Sequence, residues 1–376
     1  YEIFFLPALI AFTTFTIIPL LKTIMYSVTD FNGVNHEYRF VGLKNFIGVF
    51  QDEVMRQALF NTLFYTFCTM ILINVLSIPL AVFLDKKTKL KSAERAIFFF
   101  PSIVSALLLG YIWGYILSPL PTGAANSLLG SLGLSPIGWT STSWGARLCI
   151  IAVAVWTSTG WHATVYLAYL QAISQEYYEA ASIDGASKWK QFTKITIPML
   201  APGFTVNTLL LLTNGLKVYD LPYALTKGGP GFSNYTVTQV IIQRGISEKQ
   251  YGTYLWCIAC KSFYHSRYDY FLHTVYGHAQ KGGGSFMKKK KEGKKLFLSD
   301  LVLIPICLIF LYPFYYLVIN TFKPMTEMSF NPVAFPKTLF LDNYKDIFSQ
   351  AQIYRAFGNT LIITVCSVLL IVVIGE

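Results

Sequence analysis

The chain has 376 residues and a formal charge of +11, with 54% hydrophobic and only 13% charged residues. That profile argues against a soluble protein and suits a membrane protein. The positive charges stand in short clusters beside apolar runs, as orientation signals do, so they do not point to nucleic acid.

The first apolar run, Ile3 to Leu21, carries no charge and is long enough to cross a bilayer. Pro7 and Pro19 lie inside it, which membrane helices tolerate. A mixed polar segment, Asp30 to Arg56, leads to a second span over about Leu59 to Leu84. DKKTKLKSAER at 85–95 follows, with five Lys or Arg. From Ala96 to Ala146 there is no Asp, Glu, Lys, Arg or His. This stretch reads as a third span, about Ile97 to Leu117, and a Pro/Gly/Ser-rich loop to Gly145. A fourth span covers about Leu148 to Leu170 and a fifth about Met199 to Leu221. The loop after it carries GGPG at 228–231. Cys68, Cys149, Cys307 and Cys366 lie in apolar runs and read as small buried hydrophobes, with no disulfide framework.

Between spans four and five stands EYYEAASIDGASKWKQFTKITIP, Glu176 to Pro198. It reads as two short amphipathic helices broken at Gly185. Tyr177, Ala180 and Ala181 share one face of the first, and Trp189, Phe192 and Ile195 recur along the second. Ser187 is the expected N-cap of the second helix, and Pro198 is expected to restart the chain as a new one. The loop at 85–95 and this hairpin are basic and the loop at 118–145 is uncharged, so the first two are expected on the cytoplasmic side.

A sixth span starts as YGTYLWCIAC at 251–260 and then fails. Lys261, His265, Arg267, Asp269 and His273 fall where lipid should be. A metal site from Cys257, Cys260, His265, His273 and His278 fits no zinc spacing. A change of reading frame fits better: read one nucleotide later, codons 264–278 can encode an apolar helix. Lys281-Gly282-Gly283 can also encode a ribosome-binding sequence just before Met287. Met287 is therefore expected to start a second gene, joined here by a frameshift. Both ends of the chain read as cut.

The new start repeats the old one. Pro19 answers Pro313, 294 positions on. Asn45-Phe46, Phe50 and Asn61-Thr62-Leu63 answer Asn343-Tyr344, Phe348 and Asn359-Thr360-Leu361, each 298 positions on.

The hairpin's order is EAA, three residues, Gly, nine residues, Ile, one residue, then an apolar residue and Pro. In this it resembles the cytoplasmic loop of binding-protein-dependent ABC importer permeases. Ile197 stands where that family usually has Leu. RAIFFFPSIVSALLLGYIWGYIL at 95–117, YLAYLQAISQEYYEAASIDGA at 166–186 and KVYDLPYALTKGGPG at 217–231 resemble its carbohydrate branch, the maltose and glycerol-3-phosphate type. The resemblance implies an all-α polytopic membrane protein with a type I ABC importer transmembrane domain. About six spans are expected in a first subunit (residues 1–256) and one to two from a second (residues 287–376), with an out-of-frame junction at 257–286. It implies a bacterial cytoplasmic membrane location. The hairpin would couple to a cytoplasmic ABC ATPase dimer through Glu179, Ala180, Ala181, Asp184, Gly185, Ile195 and Pro198. ATP and magnesium would sit on those ATPases, since the chain has no G-x-x-x-x-G-K-[ST]. Further implied partners are a second permease subunit, an extracytoplasmic sugar-binding protein on the 222–250 loop, and lipid.

A sugar path should be polar and aromatic. Span four offers Trp156, Thr157, Ser158, Trp161, His162 and Tyr166, and span five offers Asn207, Asn214, Lys217, Tyr219 and Asp220. Helix–helix hydrogen bonding is the competing role for Thr157, Ser158 and Asn207, and a packed, satisfied ring for His162. Lys217 and Asp220 are read as an i,i+3 pair at a gate, or as snorkelling ends. Importers of non-sugar solutes and secondary transporters are the rival readings. The second lacks carboxylates deep in the spans. The fused chain is expected to be inactive as it stands.

Overall fold

The computed structural model describes residues 2–33, 37–85, 91–248, 254 and 298–375. The proposed junction at 257–286, the Cys/His group and most of span six lie outside the described residues. The chain divides into two compact units, residues 1–119 with 138–311, and residues 120–137 with 312–376.

The larger unit opens on helical backbone: α1 (Glu2–Phe12), a π-helical turn (Thr13–Ile17) and α2 (Ile18–Ser27). After α3 (Lys44–Gln51) comes α4 (Glu53–Asp85), 33 residues long. A helix of that length rises about 50 Å, more than the hydrocarbon core of a bilayer. Its faces are inverted relative to a soluble helix. Asn61, Thr62, Thr66, Asn74 and Ser77 are buried, while Phe60, Leu63, Phe67 and Ile71 are exposed. This is the arrangement of a helix whose outer solvent is lipid, with small and polar residues as the interhelical glue.

The expected third span is broken. α5 (Lys91–Ile103) and α6 (Ala106–Ile116) meet at an angle of 96°. Ser105, with ψ 131°, leaves helical backbone at the bend. The uncharged loop beyond holds α7 (Ala124–Ser131). α8 (Ser143–Ala172) is the fourth span, capped by the Thr142 hydroxyl, which accepts from the Gly145 N–H at 3.1 Å. α4 packs along α8, α5 crosses α8, and α12 (Ala201–Leu216) packs on α4. Tyr65, Ile73, Cys149, Ile150 and Leu211 form one core, and Ala81, Ala163, Tyr166 and Leu167 a second nearer the other end.

Helical backbone runs from Lys188 through Met199 and then bends by 62° into α12. The expected restart at Pro198 therefore falls a few residues later. Pro198 sits inside a continuous helix, and the bend is at Leu200, before Pro202. α13 (Asp220–Thr226) lies on α6, where a Cβ on Gly110 would stand 2.5 Å from Ala224 Cβ.

In the larger unit, Asn45 Nδ2 donates to the carbonyls of Ser27 at 2.9 Å and Thr29 at 2.7 Å, tying α3 to the end of α2. In the smaller unit, Asn343 Nδ2 donates to Thr321 O at 3.1 Å and Lys323 O at 2.9 Å. The sequence repeat is thus a repeat of structure. Lys44–Gln51 and Asp342–Ser349 are matching helices 298 positions apart, and Glu53 and Ala351 begin the next helices at the same offset. Among the described residues five helices are long and apolar enough to cross a membrane, and the two bent pairs add up to two more.

Candidate functional site: an exposed hairpin and a polar seam

The 176–198 segment folds as two helices. α9 (Gln175–Ile183) begins at Ser174, whose hydroxyl accepts from Glu176 N–H at 3.3 Å. It ends in a Schellman motif: Ala186 N–H donates to Ala181 O at 2.9 Å and Gly185 N–H to Ser182 O at 3.1 Å. Gly185 has φ +73°, the left-handed region that side chains resist, and open space around it. The turn needs glycine for its backbone, not for room. Ser187 caps α10 (Lys188–Gln191) as expected, accepting from Lys190 N–H at 3.3 Å.

The two helices are fastened to each other. The Tyr178 and Thr196 hydroxyls lie 2.9 Å apart, and Gln191 Nε2 donates to Ser182 Oγ at 2.9 Å and Ala186 O at 3.2 Å. The tip is apolar and open: Ile183 is 87% exposed and Trp189 72%. Glu179, Ala180, Asp184, Gly185 and Pro198 are exposed, and Ala181 and Ile195 half-buried. The hairpin is thus an exposed loop, internally hydrogen-bonded, that carries Ile183 and Trp189 beside Glu179 and Asp184.

The interior side chains divide. His162 Nδ1 lies 2.7 Å from Asn207 Oδ1, and both residues are buried. Tyr166 OH donates to Asn74 Oδ1 at 2.5 Å, Asn74 Nδ2 to Thr208 Oγ1 at 3.3 Å, and Ser77 Oγ to Thr159 O at 2.9 Å. This seam joins α4, α8 and α12, so His162 and Asn207 act as interhelical glue. Thr157 Oγ1 donates to Val153 O within its own helix. Trp156 meets Trp113 edge-on at 5.4 Å. Ser158 is half-buried, Trp161 and Asn214 are exposed, and Tyr219 stacks on Tyr223 at 5.2 Å. Lys217 caps α12 and Asp220 opens α13, so a break in the helix separates them. They are not an i,i+3 pair on one helix.

The sequence reading passed over a buried cation. Arg147, 6% exposed, donates from Nε to Asn61 Oδ1 at 3.0 Å and from Nη2 to Ser233 O at 3.1 Å. Asn61 Nδ2 donates to Ser233 O at 2.8 Å and Tyr235 O at 2.9 Å. Thr62 Oγ1 accepts from Val237 N–H at 3.0 Å, and Tyr65 OH donates to Asn234 Oδ1 at 2.8 Å. The guanidinium lies over Trp144 at 4.8 Å. This clamp fixes the 228–237 loop to α4 and α8. Only the repeated Asn-Thr-Leu hinted at it.

Near the clamp, Asp52 pairs with Arg244 and accepts from Tyr254 OH at 2.7 Å. Burial pushes the Asp52 carboxyl up, but Tyr254, Arg244 and the Val54 N–H together outweigh it and hold the carboxyl below its ordinary value. A lowered folded value gives stability that is present above the ordinary carboxylate range and is lost as pH falls through the lowered one. Asp52→Asn is therefore expected to lower the melting temperature of the detergent-solubilised chain at neutral pH. The gap from wild type should close at acid pH. A gap independent of pH would contradict the assignment.

Bent helix pairs, a polar seam inside the bundle and an exposed hairpin between two apolar helices thus occur together in one helical membrane-type bundle. Residues 58–263 match the family described as binding-protein-dependent transport system inner membrane component, and the chain belongs to that family. It is 32% identical over 255 residues to a probable starch degradation products transport system permease of Thermoanaerobacterium thermosulfurigenes, covering 66% of this chain and 84% of that one. It is 30% identical over 252 residues to an arabinooligosaccharides transport system permease of Bacillus subtilis, covering 66% and 80%. Its fold is similar to a chain of a bacterial alginate ABC transporter solved in complex with an alginate pentasaccharide-bound periplasmic protein. There the TM-score is 0.60 at 22% identity, over 74% of this chain and 94% of that one. The protein is thus a multi-pass component of the cytoplasmic membrane.

Proposed function

We propose that this chain is the permease subunit of an ATP-driven, binding-protein-dependent importer of sugars or oligosaccharides, and that residues 176–198 are its coupling hairpin. The observation that carries this reading is the fastened, exposed hairpin whose second helix continues through Met199 into the bent pair with α12. A push on its tip is delivered to a span. In this reading the hairpin lies in the cytoplasm and seats in a groove of an ATPase subunit. Glu179 and Asp184 make polar contacts there, and Ala180 and Ala181 permit close approach. The 222–250 loop, on the opposite face, receives the sugar-loaded binding protein. Trp156, Ser158, Trp161, Asn214, Lys217, Tyr219 and Asp220 remain the proposed path residues, the helix breaks at 104–105 and 217–219 being where backbone polar groups can face a cavity.

Residues 287–376 are proposed to begin a second permease of the same family. The matched helices and the paired Asn45 and Asn343 clamps support this. Restoring one continuous frame across 257–286 is expected to yield two permeases that need each other, ATP and a binding protein to take up labelled oligosaccharide. Uptake that persists without any ATPase, or with one permease alone, would falsify the proposal. In that system Gly185→Val is expected to cut ATP-driven uptake several-fold at unchanged abundance in the membrane, because the turn that shapes the tip loses its left-handed residue.

A further inference from the structure

α3 is a short helix between two spans, and its exposure is divided sharply. Leu43, Ile47 and Phe50 are 65%, 57% and 61% exposed. At about 100° per residue they fall within an arc of roughly 60°. Lys44 and Gln51 border that arc on one side. Val49, 3% exposed, points the other way and packs with Met55, Ala58 and Val240. The inner face is thus already committed to protein, and the outer one is a narrow apolar ridge with a polar edge.

The level of this ridge is fixed at both ends. Asn45 is tied to the carbonyls of Ser27 and Thr29, where the span Leu9–Ser27 ends. Asp52, the C-cap of α3, directly precedes Glu53, where the span α4 begins. A helix bridging the ends of two spans lies where hydrocarbon gives way to water. The exposed Phe60, Leu63, Phe67 and Ile71 of α4 continue the apolar surface inward. The side of the membrane follows from the helix pairing. Asn61 near the start of α4 meets Arg147 near the start of α8, whereas the hairpin follows the end of α8.

We infer that α3 is an interfacial anchor: it lies along the bilayer surface on the side opposite the hairpin, with Leu43, Ile47 and Phe50 embedded at the boundary of headgroups and acyl chains. Lys44 at the edge of the ridge suits a lipid phosphate. In the second copy Leu341 and Phe348 stand at the positions of Leu43 and Phe50, 50% and 56% exposed, but Lys345 replaces Ile47 and Asp342 replaces Lys44, so the full ridge belongs to α3.

The test uses the full chain in nanodiscs of phosphatidylethanolamine and phosphatidylglycerol. Spin labels are placed, on a background with the native cysteines replaced, at Ile47→Cys and at Gly48→Cys. The second site points about 100° away from the first, and a side chain at Gly48 meets nothing within 4 Å. The ratio of oxygen to water-soluble nickel chelate accessibility is expected to be several-fold higher at 47 than at 48. Equal ratios would overturn the inference. So would a label at 47 shielded from both reagents, which would mean a protein partner covers the ridge. Should the cysteine-free chain not fold, a hydrophobic photolabel applied to the unaltered chain reads the same point. It should mark Ile47 and Phe50 and spare Val49, and labelling of neither would overturn the inference.

Discussion

Gly160→Leu is expected to abolish the folded chain, and even Gly160→Ala to cost about 3 kcal/mol or more. A Cβ at 160 would stand 1.8 Å from Phe98 O and 2.4 Å from Phe98 C, so the backbones of α5 and α8 meet at this residue. Backbone cannot swing aside as the end of a side chain can. The two helices would have to part by more than an ångström. Phe98, 1% exposed, would lose its packing against Leu84. The Ser77 hydrogen bond to Thr159 O next to it would also be strained. Small residues at such crossings are how membrane helices gain close contact without a hydrophobic driving force. The control is Gly130→Ala in α7, where nothing lies within 4 Å of the new Cβ. Thermal unfolding in detergent should rank wild type and Gly130→Ala together and Gly160→Ala far below. Similar melting temperatures for Gly160→Ala and wild type would refute the close approach.

Much of this fold is legible in the sequence because lipid imposes long apolar runs, and such runs have little other use. α4 and α8 were expected nearly where they fall. The hairpin was equally readable: its Gly185 break and Ser187 cap are local chemistry, set by backbone conformation within a few residues. What hydropathy cannot report is direction. Ile97 to Leu117 reads as one span because every residue in it is apolar or uncharged, yet it turns by 96° at Ser105. Close tertiary contacts flank that bend, Gly160 against Phe98 and Gly110 against Ala224, and no local pattern contains them. α3 and α7 are missed for another reason: eight residues are too few for periodicity to stand out. The interior polar residues are legible by type, and helix–helix bonding for Asn207 and a packed ring for His162 are among the readings, but which residue pairs with which is not. His162 and Asn207 satisfy each other across two helices, which needs their mutual geometry and not their identity alone. Arg147 carries no local signal of its role, since the sequence does not say that the 228–237 loop folds back to cover it.

That loop makes the Arg147 clamp testable in a way that separates charge from contact. Asn61→Ala is expected to be the most damaging single change there, at about 3 to 5 kcal/mol, because it strips an acceptor from a buried guanidinium and both side-chain donations from the Ser233 and Tyr235 carbonyls. Arg147→Met should be milder. It gives up two charge-assisted hydrogen bonds but also relieves the desolvation of the charge, and methionine can fill the space between Trp144 and Phe60. The double variant should therefore be more stable than Asn61→Ala alone. That non-additivity marks a cation that is tolerable only while its acceptor is present. Asn359, the counterpart of Asn61 at the 298-residue offset, is exposed, and Asn359→Ala is expected to leave the melting temperature unchanged. One Asn-Thr-Leu motif thus has two energetic outcomes, set by whether a folded loop and an arginine close over it. If the double variant melts below Asn61→Ala, the two residues act independently and the clamp does not exist as an energetic unit.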